Sequence, residues 1–487
     1  MGINNIQNQI FFKKSLKLIG ALTSKPYAFM ARSWELKKYE SIDIFDNLGS
    51  NVNFYINNFK ILRVLPKINF FLNEEWITDK VRFCYDGLRK QRLSLPLIRV
   101  INKLVPNSWL NCFNLFKQKL TTDIYIESFC GDLVDLETLY LFKIFLNHLG
   151  FFSYKINNFI NKININLRQN YLSIFNKFQI NYLNNLFLIG INLRVENPLI
   201  NLCVREAIIY NKLNVYNFGF FFNLTYSIFN FGNNVISFVL FLNGKSLFCK
   251  FFCKIKLTKF LIGYHIFYRS DFLFFSQYIK NICLIFKNFK YSFFFQGCNT
   301  FSGLELGATY NYLDNIVKVK KKILYILNND DIFFNSNIYN FIIYQGHHGS
   351  LNVYLADLIF PGVIPYEKKG IYFNLYGIGQ QSTFILSPEN TIKNDWKIIK
   401  GLSDFLALSI YYNKRLDIIR KLELLLPVFW FISQYKLNYL YNFNKSLFLY
   451  NVPILNLFGN YYLTNIITRS SLIMSLCAFR FKILNFF

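Results

Sequence analysis

Downstream of Pro96 the chain alternates short unbroken apolar runs with longer, nearly all-apolar stretches bounded by cap residues. In 123-DIYIESFCGDLVDLETLYLFKIFLNHLG-150 an apolar run reaches Phe129, a turn follows, and the spacing predicts a helix from Leu136 to Leu149. Asp135 is placed to cap its start, and Gly150 to follow its end. The unit recurs in 186-LFLIGINLRVENPLINLCVREAIIYNKLNVYNFG-219. There Leu186–Gly190 reads as a buried strand, Pro198 opens a helix after Asn197, and NVYNF forms the next strand. A third pair of strands is 323-ILYIL-327 and 341-FIIYQ-345. Continuous apolar strands alternating with buried helices imply a parallel sheet covered on both faces, an α/β architecture.

Upstream the pattern is shorter-ranged. NVNFYI and KILRVL alternate around Asn57-Asn58 and predict a hairpin in a small β-rich domain, with the evenly charged 73-NEEWITDKVRFCYDGLRKQRL-93 as its tail. Residues 218–304 are Phe-rich with weak periodicity and yield no elements. From Asp395, DWKIIKGLSDFLAL and RLDIIRKLELLLP read as helices, and 455–479 looks mixed. The expected division is an N-terminal segment 1–30, a β-rich domain 31–95, an α/β region 96–390 and a helical or mixed region 391–487.

Composition adds little to the fold but bears on partners. The 58 Phe and 33 Tyr, against 22 Gly and 10 Pro in 487 residues, point to A/T-rich codons. Lys and Arg number 54 against 27 acidic residues, a net charge of +27. The Lys residues are scattered among Asn and not gathered on one face. The charge therefore reads as codon bias facing an acidic partner surface, and no motif for nucleic-acid recognition accompanies it. The longest uncharged stretch, Leu213–Gly244, is interrupted by seven Asn, and 424-LLLPVFWFISQY-435 is short and carries Pro427. No transmembrane helix is expected. The start, MGINNIQNQIFFKKSLKLIG, has neither a secretory nor a transit pattern. Nine cysteines stand at 84, 112, 130, 203, 249, 253, 283, 298 and 477. Only Cys249 and Cys253 are close, and no second pair completes a metal site, so the thiols read as small buried hydrophobes in a reducing compartment.

The candidate chemistry is concentrated in 344-YQGHHGSLNVYLADLIFPG-362, which holds two of the four histidines. His347 and His348 between glycines could belong to an anion-cradling loop. Adjacent histidines do not readily converge on one metal, and Asp357, nine residues on, lies across a helix. The expectation is a structural loop at the C-terminal edge of a sheet. Glu74-Glu75, Asp132, Asp135, Glu137 and Asp330-Asp331 read as solvated edges or as charges favourable to a helix N-terminus. No Ser/His/Asp set, G-x-G-x-x-G or Walker loop can be assembled. No catalytic, cofactor-binding or metal residue is assigned.

With its neighbours, the run YQGHHGSLNVYLADLIFPGVIPYEKKGIYFNLYGIGQQS resembles the large iron–sulfur (75-kDa) subunit family of respiratory complex I, NADH:ubiquinone oxidoreductase. Matching the family's pattern are Tyr344 to Gly349, Ala356, Asp357, Pro361, Gly362, Glu367, Lys368, Tyr372, Asn374, Gly377, Gln380 and Gln381. Further resemblance lies in 20-GALTSKPYAFMARSWELKKYESIDIFDNLGSN-51, 73–93, 131-GDLVDLETL-139, 190-GINLRVENPLINLCVR-205 and 395-DWKIIKGLSD-404.

The resemblance implies a molybdopterin-oxidoreductase-like fold: parallel sheets with flanking helices, after a small β-rich domain. In the family a ferredoxin-like part precedes this region and carries three iron–sulfur clusters. The position of its last cluster cysteine is Lys17 here, and Cys84 is this chain's first cysteine. The expectation is therefore a scaffold without cofactors of its own, encoded in a mitochondrion by a split gene. The clusters would sit on a separate ferredoxin-like polypeptide docking near residues 1–40. The family's Glu and Arg of its EGR segment are Tyr376 and Ile378 here, and the Cys-x-x-Cys motif of some members is absent from 27–84. Both departures strip charge and ligands from the old pterin pocket. Expected partners are the other matrix-arm subunits, including the flavin-bearing module, on the matrix side of the inner membrane. The alternatives are an active molybdopterin oxidoreductase and a basic organellar nucleic-acid-binding protein.

Overall fold

The computed structural model describes residues 24–120, 124–151, 155–156, 171, 177–245, 257–286, 288–295, 297–308, 321–330, 334, 336–426, 453–454 and 461–485. Three strands, β1 (Lys37–Ile42), β2 (Asn51–Asn57) and β3 (Lys60–Pro66), form an antiparallel sheet, with the predicted hairpin between β2 and β3. The second half of this region is helical: Asp79–Phe83 and the 3-10 turns Cys84–Arg89 pack against β3. The charged sequence there hides a buried face made of Val81, Cys84 and Leu88.

The α/β part holds two parallel sheets. The first is built from β4 (Leu97–Val100), β5 (Lys103–Pro106), β6 (Ile124–Cys130) and β7 (Lys155–Ile156), with strands of a second sheet intervening in the chain before it is completed. That second sheet contains β8 (Asn185–Ile189), β9 (Asn214–Phe218), β10 (Phe229–Asn230), β11 (Thr258–Gly263) and β12 (Phe289–Phe294). The chain then returns to the first sheet with β13 (Lys321–Leu327), β14 (Phe341–Gly346) and β15 (Leu358–Pro361), and a hairpin of β16 (Ile371–Phe373) and β17 (Gly379–Gln381) follows. The orders are β5-β4-β15-β14-β13-β6-β7 and β10-β9-β8-β11-β12. All pairs in the second sheet are parallel; in the first, β4 alone runs against the rest, antiparallel to both β15 and β5. The all-buried runs FIIYQG and NLFLI show why neither sheet has an alternating pattern.

The segment 218–304, unreadable in sequence, supplies three of the five strands of the second sheet. Its helix Phe272–Ile285 buries Phe272, Phe275, Ser276, Ile279, Ile282 and Cys283, a regular helical stripe. The stripe is masked because the outer face carries Leu273 and Ile285, both more than half exposed. The phenylalanines are more than codon bias. Phe187 on β8 stacks on Tyr216 of β9 at 4.8 Å and on Phe260 of β11 at 5.0 Å, an aromatic ladder across three strands.

Helices Asp395–Phe405 and Arg415–Leu425 form as expected and pack on helix Leu136–His148. Of the stretch expected to be mixed, the described part is helical: Ile466–Ser470 and Leu472–Asn485. These helices return to the β-rich region, where Ile467 and Met474 join its core. The Asp86 carboxylate accepts from the N–H groups of Leu472 and Ile473 at 3.0 and 3.3 Å, capping the last helix from 386 residues upstream. Among the described residues, no helix is long and apolar enough to cross a membrane.

Strand ends approach so closely that a side chain is excluded. A Cβ on Gly263, at the end of β11, would lie 2.2 Å from the Gly190 carbonyl oxygen at the end of β8. Backbone, and not a flexible side chain, is in the way. Gly263→Ala should lower the unfolding free energy of the full chain by about 1–3 kcal/mol in a denaturant titration.

Candidate functional site

In doubly wound sheets ligands bind beyond the carboxyl ends of the strands, where the strand order reverses. The first sheet reverses between β6 and β13, the second between β8 and β11. Around the first reversal four strand ends converge. β6 runs into Gly131, whose Cβ would meet the Asn328 carbonyl oxygen at 1.8 Å. Asp135 then caps helix Leu136–His148, accepting from the Thr138 N–H at 3.2 Å. β14 ends in Gly346 and the two histidines. β15 ends in Gly362, where a Cβ would lie 2.1 Å from Asp395 Oδ1.

The ammonium of Lys368 sits among these ends. It donates to Asp135 and, at 2.5 Å, to Asp395 Oδ2, and all three side chains are at most 4% exposed. Gln345 of β14 donates to the Asp395 carbonyl at 3.1 Å and accepts from Tyr325 of β13 at 2.7 Å. Glu137, fully buried, accepts from the Ile371 N–H at 3.0 Å and from Arg415 at 2.9 and 2.6 Å. Arg92 pairs with Glu367 at 2.7 Å and donates to the His347 carbonyl at 3.1 Å.

Burial alone would raise the pKa of Asp135, but the charge and hydrogen bond of Lys368, with Thr138, outweigh it and hold the carboxyl below its ordinary value. For Asp395 burial wins over Lys368, and its pKa is raised. Burial and the Asp135 charge push Glu137 to about 7 against the pull of Arg415. For Lys368 burial opposes the charged form, yet the two carboxylates lift its pKa well above the usual value. The ammonium is a fixed cation. On the facing β-rich region, burial drives Asp43 to about 6 and Asp46 to about 7. Asp46 Oδ1 accepts from Asn197 at 3.4 Å, and Asn197 also caps helix Pro198–Asn211.

The histidine pair is a different kind of contact. His348 Nε2 lies 3.0 Å from the Gly87 carbonyl oxygen, so that nitrogen carries the proton. His348 Nδ1 is then an acceptor, and it lies 2.6 Å from His347 Nδ1, which must donate. His347 Nε2 is left as a buried acceptor. His348 cannot take a second proton without breaking this chain, and a second proton on His347 Nε2 would be a buried charge with no acceptor. Accordingly, burial pushes His348 down to about 3 and His347 well below its ordinary value. Ser470 donates to the same Gly87 oxygen at 2.9 Å. The loop therefore fastens the sheet edge to the β-rich region and to the returning helices.

At the first reversal a cavity of about 50 Å³ remains, lined by residues including Lys80, Gly131, Asp132, Gly297, Asn328, Asp330 and Thr464. That is far below the roughly 300–1,000 Å³ of organic-ligand sites. At the second reversal Ile266 and Ile454 lie against Gly190. The cavity at the first reversal is too small for a pterin cofactor.

Several sequence expectations are corrected. Asp135 and Glu137 do stand at a helix N-terminus, but they are buried and paired with Lys368 and Arg415, not solvated. Tyr376 and Ile378 bring no charge, but Lys368, Asp395 and Arg415 keep buried charge among the strand ends. Sequence reasoning overlooked all three in a charge role, although two acids opening an otherwise apolar helix signal buried cations. Asp132 accepts from Thr300 at 3.3 Å, Asp330 from Tyr344 at 3.1 Å, and Asp357 pairs with Arg99 at 3.7 Å, away from the histidines. Glu75 is exposed and Glu74 half-buried. Asp331, Cys249 and Cys253 lie outside the described residues. Among the described residues, no group of three or more His, Cys, Asp or Glu could hold a metal.

Comparison with known proteins places these observations. Residues 92–405 match the molybdopterin oxidoreductase family, and residues 36–86 match the NADH-ubiquinone oxidoreductase NDSU1/NuoG-like 4Fe-4S domain. The NADH-ubiquinone oxidoreductase 75 kDa subunit of Reclinomonas americana is 34% identical over 96% of this chain and 71% of its own length. The mitochondrial NADH-ubiquinone oxidoreductase 78 kDa subunit of Candida albicans is 32% identical over 94% and 66%. The NADH-ubiquinone oxidoreductase 75 kDa subunit of Acanthamoeba castellanii is 31% identical over 96% and 70%.

The 4Fe-4S domain match overturns the expectation that this chain has no cofactor region and that the clusters belong to a separate polypeptide: a region of the cluster-binding type lies within residues 36–86. One cysteine falls in that range, Cys84, 1% exposed, its thiol 3.9 Å from the Val81 carbonyl oxygen and its pKa raised chiefly by burial. A tetrathiolate cluster needs four such ligands, so residues 36–86 do not by themselves complete one.

Two outcomes follow for the charged crevice and the histidine loop. Lys368→Met leaves two buried carboxylates facing each other and should cost about 3–5 kcal/mol of stability in a denaturant titration. The folded state holds His348 neutral down to about pH 3, whereas the unfolded chain protonates it below about 6.5. Its contribution is thus complete above pH 6.5 and is lost as pH falls toward 3. His348→Gln should reduce the slope of stability against pH in that window by up to about 1.4 kcal/mol per unit. The raised carboxylates slope oppositely, but they are common to both proteins and cancel in the difference.

Proposed function

Since the chain belongs to the large iron–sulfur (75-kDa) subunit family of NADH:ubiquinone oxidoreductase, we propose that its molybdopterin-oxidoreductase-type region is a structural scaffold of that enzyme's peripheral arm. It supports electron transfer by holding neighbouring subunits in place, and assigns no catalytic role to its own side chains. The observation that carries this reading is the filled crevice. Where the fold offers a ligand site, this chain has an ammonium locked between two carboxylates, and at the second reversal two isoleucines.

A buried charge triad of this kind is poor machinery for turnover. Lys368 is held protonated by Asp135 and Asp395, and its side chain is 4% exposed. Its physical effect is to join the ends of β6 and β15 to helix Asp395–Phe405. Burying the three charges together is tolerable only with good geometry, and a misplaced strand end would leave one of them unpaired. The arrangement therefore favours a single rigid shape over adaptability. Rigidity is what a support between redox subunits requires.

The proposed location is the mitochondrion, on the matrix side of the inner membrane, with the other arm subunits and the flavin-bearing module as partners. The naming of the Candida albicans relative as mitochondrial supports this. The high positive charge would then face acidic surfaces of those partners.

The test is native purification with an affinity tag on the full chain. NADH dehydrogenase activity should copurify with it, and molybdenum measured by mass spectrometry should fall well below one atom per chain. One molybdenum per chain, released as a pterin complex, would make the region an active oxidoreductase and end the scaffold reading.

A further inference from the structure

The β4–β5 hairpin turns through Ile101 and Asn102, with φ of 45° and 62°. A two-residue turn with both φ values positive is of the I′ type, whose favoured residues are Asn, Asp and Gly. Asn102 meets that demand and Ile101 does not. A β-branched residue in the left-handed region is strained, because its Cβ crowds the backbone. The strain brings no packing within the chain in return: Ile101 is 93% exposed.

The surroundings of this tip are shaped and apolar. Arg99 of β4 donates to the carbonyl oxygens of Tyr354 and Ala356, which places the hairpin beside the short helix Leu351–Leu355. On that helix Leu351 and Tyr354 are 77% and 73% exposed. Residues 96–110 and 349–357 contain one carboxylate, Asp357, and it is paired with Arg99. Lys103, at the start of β5, is an exposed cation beside the tip.

We infer that Ile101 is an anchor inserted into another protein subunit, whose surface offers an apolar socket with a carboxylate on its rim for Lys103. Leu351 and Tyr354 form the flank of the same contact. A strained, exposed apolar tip is the geometry of a knob for a preformed pocket, and interfaces concentrate their energy in such anchors. An anionic lipid surface calls for four to eight clustered cations by the general pattern, and Lys103 is one. The inference rests on the proposed place of the chain in a multisubunit assembly.

The experiment compares the tagged full chain with its Ile101→Asn and Leu351→Ser variants, expressed in the native host. Asn suits the turn, so Ile101→Asn should raise the melting temperature of the purified chain by about 1–2 °C. It should also lower the fraction recovered in the native complex about tenfold, and Leu351→Ser should lower it without raising the melting temperature. Lys103→Glu should slow incorporation. A stabilised variant that assembles as well as the wild type would overturn the inference, as would a fall in melting temperature. So would wild-type binding to vesicles of anionic phospholipid, or self-association, that Ile101→Asn abolishes. Failure of the wild type itself to enter an NADH-oxidising complex would instead count against the proposed function.

Discussion

The ammonium of Lys368 is the charge on which the α/β architecture turns. Removing an ion from water costs several kcal/mol even after relaxation, so a buried cation persists only where partners meet it with good geometry. Asp135 belongs to the cap of one helix and Asp395 to the first turn of another, while Lys368 lies on the loop after β15. Each comes from a different part of the chain. Only the assembled fold brings them together, and three of the four strand ends around them, those of β6, β14 and β15, run into glycine.

The same logic explains why polar groups are so dense where the sheets face the β-rich region. Asn197 closes a helix and reaches Asn47 at 2.5 Å, Asn47 reaches the Phe295 carbonyl at 2.6 Å, and the Leu375 N–H bonds to the Asn47 carbonyl at 2.7 Å. Four distant segments are joined through two amides. Such networks specify a unique arrangement because any slip leaves a buried group unpaired. An apolar interface of the same area would tolerate sliding. A crevice that opens and closes around a ligand would be built differently.

Much of the framework was legible in the sequence. Unbroken apolar strands such as FIIYQ, Asn197-Pro198 as a helix start and Asp135 as a cap each carry a local signal, and each forms as read. The second sheet was not legible, because apolar residues on both faces of helix Phe272–Ile285, such as exposed Leu273 and Ile285, erase the contrast that periodicity needs. The charged crevice was hidden for another reason. Asp135 lies 233 residues from Lys368 and Asp395 lies 27 from it, and ordinary acids at helix starts look the same whether their partner is water or lysine. The histidine pair was correctly placed at a sheet edge, but its tautomers depend on the Gly87 carbonyl, 261 residues away. The 4Fe-4S relationship of residues 36–86 could not be read from ligands, since Cys84 is the one cysteine there.

The carbonyl of Gly87 receives both His348 and Ser470, the latter from 383 residues downstream. A ribosome emits the β-rich region early and the helices that finish its core only after hundreds of further residues. During that interval, tens of seconds at about 5–20 residues per second, the early region presents an incomplete apolar face to its surroundings. Biogenesis of this protein thus has a built-in waiting period, in which a chaperone or a prospective neighbour has its best opportunity to engage.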